Sequence, residues 1–61
     1  MDREYIVKVM NNSNKVTISN RMTRQRAENF ASKIWETVSF SPLIYVAVED
    51  IDGIIICEWE V

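Results

Sequence analysis

The stretch from Thr23 to Val38 constrains the fold most. Ala27, Phe30, Ala31, Ile34, Trp35 and Val38 recur there at i, i+3, i+4, i+7, i+8 and i+11, which gathers six apolar side chains on one stripe of a helix. Arg24, Gln25, Arg26, Glu28, Asn29, Ser32, Lys33, Glu36 and Thr37 fill the remaining arc, which faces water. Thr23 is suited to N-cap this helix, although Arg26 stands where a capping box carries Glu or Gln. Ser39, Ser41 and Pro42 end it, because proline disfavours helical geometry in the residue before it. Phe40, in this connection, is placed to plug the end of the core. A lone helix with one apolar face needs a flat surface to cover.

The flanking segments supply that surface. Arg3 to Met10 alternates, with Tyr5, Val7 and Val9 on one face and Glu4, Ile6, Lys8 and Met10 on the other. Asn11, Asn12, Ser13 and Asn14 form a turn cluster, and Lys15 to Met22 reads as the returning strand. A tight turn centred on Asn12 and Ser13 pairs Val9 with Val16, Val7 with Ile18 and Tyr5 with Asn20, so that the two apolar sets share one face. It also brings Glu4 opposite Arg21 as a cross-strand ion pair. After the helix, Leu43 to Asp50 and Ile54 to Val61 flank Asp52-Gly53, the strongest short hairpin signal. A two-residue loop there pairs Val48 with Cys57, Val46 with Trp59 and Ile44 with Val61. Ile55 then lies on the helix side, with Leu43, Tyr45, Ala47, Ile54 and Ile56 on the back.

The expected fold is therefore α+β with the order β-β-α-β-β: a four-stranded, mainly antiparallel sheet with one helix packed on one face. Strand orders 2-1-3-4 and 1-2-4-3 both satisfy the hairpins, and a parallel contact of the second and third strands through a right-handed helical crossover stays open. Residues 1 to 61 read as a single domain.

A chain of this length buries only about 60% of the surface its unfolded form exposes, so its core alone is marginal. With one cysteine and no histidine, no internal disulfide framework or thiolate zinc site is available to reinforce it, which leaves idealised packing or a partner chain. The single thiol and the lack of any apolar run near the roughly 20 residues of a membrane span point to the cytoplasm. Charge is unevenly distributed. Residues 1–33 hold seven basic and three acidic groups, and residues 34–61 hold six acidic groups and no basic one, giving +4 against −6. Eight isoleucines and five asparagines beside one glycine and one proline fit an AT-rich coding sequence, as in low-GC bacteria and their phages.

Enzymatic readings lack parts. Without histidine there is no Ser-His or Cys-His pair, and one glycine builds no phosphate-cradling loop. Glu49, Asp50 and Asp52 flank a tight turn, where carboxylates are ordinarily solvated, and Cys57 faces Val48 as a small buried hydrophobe. No catalytic residue, metal or cofactor is expected.

Two surfaces remain. Ile6, Met10, Leu43, Tyr45, Ile54 and Ile56 project from the back of the sheet, and a contiguous apolar band marks an interface. Lys15, Arg21, Arg24 and Arg26 form the basic cluster, although Arg24 and Arg26 stand about 200° apart around a helix. The carboxylates Glu49, Asp50, Asp52, Glu58 and Glu60 gather at the second hairpin, an arrangement that also suits mimicry of a phosphate row. The leading expectation is a non-enzymatic protein-interaction module, a dimeric regulator or inhibitor of a protein partner, of bacterial or phage origin. The alternative is a nucleic-acid-binding regulator using the arginines.

Overall fold

The computed structural model describes residues 3–37 and 43–60, so the expectations placed on Val38, Ser39, Phe40, Ser41, Pro42 and Val61 lie outside the described residues. Four strands, β1 (Tyr5–Asn11), β2 (Val16–Ile18), β3 (Leu43–Asp50) and β4 (Ile55–Glu60), form one antiparallel sheet in the order β2-β1-β3-β4. Among the described residues a single helix, α1 (Arg24–Glu36), packs against the central strands β1 and β3. This is the α+β architecture expected, with the first of the two antiparallel orders.

The helix begins and ends for local reasons. Thr23 lies extended and its hydroxyl accepts from the Arg26 amide at 3.3 Å, while the Thr37 hydroxyl and amide both donate to the Ile34 carbonyl. Ala27 and Ala31 are fully buried, and Ile34 and Trp35 are half-buried beside them. Two alanines one turn apart let the helix lie close over Val7, Val46 and Val48, the largest side chains that are fully buried. Tyr5 completes the core, and Val9, Met22, Trp59 and Cys57 pack around it. At 16 Å in its thinnest direction, the molecule is one sheet and one helix deep. Among the described residues no element packs on the far face of the sheet.

The first hairpin departs from the expected register. Lys8 faces Ile18, Val9 faces Thr17 and Met10 faces Val16, one residue out of step with the two-residue turn. The loop holds three residues, Asn12 to Asn14: the Asn11 amide donates to the Lys15 carbonyl, the Asn14 amide donates to the Asn11 carbonyl, and Asn14 adopts a left-handed φ of 63°. The Asn11 side-chain oxygen accepts from the amides of both Ser13 and Lys15, fixing the turn from inside. Because side chains alternate with period two, the extra loop residue turns Val16 and Ile18 to the back of the sheet and puts Thr17 and Ser19 under the helix side.

The second hairpin repeats this loop. Ile51 to Gly53 form it, Gly53 has a φ of 83°, and Asp50 accepts from the amides of Asp52 and Ile54, both at 2.9 Å. Here a β-bulge restores the step. Glu49 faces Ile55 while Val48 faces Cys57, leaving Ile56 as the extra residue. The expected pairs Val46–Trp59 and Val48–Cys57 are therefore present. Ile55 lies on the back, contrary to expectation, and Ile56 is turned onto the core.

Candidate functional site

The register places three rows on the open back face. Val16, Met10, Tyr45 and Glu60 form one, Ile18, Lys8, Ala47 and Glu58 the next, and Ile6, Glu49 and Ile55 the third. The face is graded, apolar toward β2 and acidic toward β4. Val16 and Ile18 are 45% and 57% exposed. Lys8, Met10, Val16 and Tyr45 line a shallow depression of about 260 Å³.

Two polar pairs lie within this band. The Lys8 ammonium lies 3.3 Å from the Glu49 carboxylate, and the Tyr45 hydroxyl donates to Glu58 at 2.6 Å. That hydrogen bond, with partial burial and the charges of Glu58, Glu49 and Glu60, pushes the Tyr45 pKa up to about 12. The folded state thus holds its phenolic proton more tightly than the unfolded chain does. The stabilisation is whole below about pH 10 and is lost as pH rises from there toward 12. Phenolate absorbance should show Tyr45 ionising near pH 12, and Glu58→Gln should return it toward the ordinary value of about 10. A Tyr45→Phe chain should lose that part of the alkaline destabilisation.

Of the six residues expected at an interface, Ile6, Met10, Leu43 and Tyr45 share the back-face alternation, each half-buried. Ile54 sits at the loop opposite Asp50, 59% exposed, and Ile56 is packed on the core; neither joins the band. Val16, Ile18 and Ile55 take their place. The signal for Val16 and Ile18 was the spacing of Asn11 and Asn14, identical to that of Asp50 and Gly53.

The basic residues divide. Arg24 bonds Glu28 at 3.0 Å, a pairing that raises the arginine pKa, on the flank of α1 near Cys57. Lys15 ends the first hairpin loop, exposed. Arg21 meets Glu4 at 3.1 Å, the ion pair expected, although Tyr5 bridges Met22 and not Asn20, so the register that was to bring them opposite each other is not the one formed; both side chains are well exposed and such a pair is worth at most about 1 kcal/mol. Arg21 and Arg26 meet on the opposite flank of α1, where they line a groove of about 530 Å³ with Met22, Asn29, Phe30 and Lys33. Among the described residues, no carboxylate pairs with Arg26 or Lys33. Phe30, expected in the core, is 44% exposed. It forms the wall between this groove and a smaller hollow over Val9, Thr17 and Ser19.

Cys57 is half-buried, and burial with the nearby Glu28 carboxylate pushes its thiol pKa up, which keeps it protonated at neutral pH. Among the described residues no group of three or more acidic or cysteine side chains is arranged to hold a metal ion, and no helix is long and apolar enough to cross a membrane. Compared with protein-family models, curated proteins and solved structures, the chain matches none.

Proposed function

We propose that this chain is a small, non-enzymatic protein-interaction module that works in the cytoplasm as a homodimer and regulates or blocks a protein partner. One observation carries the dimer. Val16 and Ile18, exposed on the back face of the sheet, lie beside Met10 and Lys8 of β1, while among the described residues the core on the other side fully buries nothing larger than valine. A second copy laid on the β1–β2 half of the face supplies the burial that so thin a molecule lacks. The glutamates toward β4 confine the contact to that half, since overlapping them would oppose like charges.

Sedimentation equilibrium tests this directly. The wild-type chain should approach twice its 7.2 kDa monomer mass as concentration rises. Ile18→Glu should raise the dissociation constant about tenfold or more, because it puts a carboxylate into the contact opposite Lys8, whose ammonium is already paired with Glu49. Ile56→Glu is the informative contrast. Its side chain belongs to the core, so that variant should lose thermal stability rather than dimerise more weakly. A wild type that stays at monomer mass at every concentration removes the proposal.

A further inference from the structure

We propose that the free edge of β2, together with the basic groove beside it, receives an extended acidic segment of a partner protein as a fifth strand. The edge comes first. Hydrogen bonds join Asn11 to Lys15 and Ser19 to Val7, and Thr17 faces Val9 between them. By antiparallel alternation the amides and carbonyls of Val16 and Ile18 therefore point away from β1, and among the described residues nothing pairs with them. Ser19 ends the ladder cleanly: its hydroxyl accepts from the Val7 amide at 2.8 Å and donates to the Asn20 carbonyl. An unpaired run of this kind is a template for another strand.

The groove determines which strand. A segment laid against β2 directs alternate side chains to the helix side, where Arg26, Phe30 and Lys33 form one stripe of α1 and Arg21 and Met22 close the near end. Arg26 and Lys33 lie about 10 Å apart along the helix axis, within reach of carboxylates at alternate positions of an extended chain, which repeat every 6.7 Å or so. Phe30 and Met22 give the stems of those residues an apolar bed. Arg21 can exchange its exposed pairing with Glu4 for the incoming carboxylate. The remaining side chains of the segment fall on the back face beside Val16 and Ile18, which favours apolar residues there. The occupant is thus an extended stretch alternating acidic and apolar residues. A nucleic acid shares the charge but has no ladder of amides to return to Val16 and Ile18.

The inference rests on the reading of the chain as a protein-interaction module but not on its dimer, whose contact leaves the β2 edge free. The test uses the full chain and a short fluorescein-labelled peptide alternating glutamate with valine, with an oligothymidylate as the competing probe. Fluorescence anisotropy should show saturable peptide binding, weakened about tenfold in the double variant Arg26→Glu, Lys33→Glu, whose exposed positions leave the fold intact by circular dichroism. N-methylation of one alternate set of peptide amides should abolish binding, and methylation of the other set should leave it unchanged. No binding, equal loss with both methylated sets, or tighter binding of oligothymidylate lost in the same double variant would each overturn it. Peptide failure with an intact wild-type dimer sinks this inference alone; a monomer that still binds the peptide sinks only the dimer.

Discussion

Replacing Ala31 with leucine should cost about 3 kcal/mol and take away most of the cooperative unfolding transition near physiological temperature. Ala31 has no exposed surface, and the helix lies over Val7, Val46 and Val48 with only a methyl group at this point of contact. None of the three hollows described above is lined by Ala31, so a leucine there has no adjoining one to enter. It must either leave its preferred rotamers or lift α1 from the sheet, and lifting it exposes the few side chains that form the core. A domain of this length holds roughly 3 to 9 kcal/mol in total, so the loss is a large share of all it has. Thermal melts should show a midpoint lower by about 12 to 24 °C, at about 4 to 8 °C per kcal/mol for a domain this small. Ser32→Leu, one position along and exposed, should stay within about 0.5 kcal/mol of the wild type. If Ala31→Leu and Ser32→Leu melt alike, the helix does not rest on the sheet through its alanines.

The same physics explains what could be read from the sequence. Helical periodicity is local, so Ala27, Ala31, Ile34 and Trp35 announce their common face without reference to the rest of the chain. Strand register is not local. It depends on loop length, and in both hairpins a left-handed residue, Asn14 or Gly53, closes a three-residue loop where two residues were expected. In the second hairpin the bulge at Ile56 takes back the extra step, so Val46 and Trp59 pair as alternation foretold, while Ile55 exchanges faces. In the first hairpin nothing compensates before Val16, and the whole of β2 turns over. Matching apolar faces was a poor guide because this sheet presents apolar side chains on both sides. The candidate surfaces inherit the same divide. Ile6, Met10 and Tyr45 lie where alternation along β1 and β3 puts them; Val16 and Ile18 were concealed by the loop. The groove was hidden by Phe30, whose place in the apolar stripe reads as core, though it stands at the edge of that stripe with Arg26 and Lys33 one turn to either side.

Asp50→Ala should destabilise the fold by about 3 kcal/mol, as much as overpacking the helix, since hydrogen bonds to a charged acceptor contribute about 1.5 to 3 kcal/mol. Asp50 is the one buried charged residue among those described, 4% exposed, and one of its oxygens accepts from the amides of both Asp52 and Ile54. Alanine leaves those two donors without an acceptor at the point where the loop returns the chain to β4. The other oxygen lies 3.6 Å from Arg3, whose side chain is 66% exposed, so that pairing is largely screened and Arg3→Ala should cost under about 1 kcal/mol. Asn11→Ala removes the equivalent pair of bonds in the first hairpin, but these are exposed to water that can replace them, and about 1 kcal/mol is expected. The variant that separates the causes is Asp50→Asn. It keeps an oxygen in the same position and gives up the charge, so denaturant titration should find it within about 1 kcal/mol of the wild type. If Asn and Ala are equally damaging, the charge of Asp50 and not the placement of its oxygen holds the second hairpin, and the shared loop geometry of Asn11 and Asp50 is not what fixes the two turns.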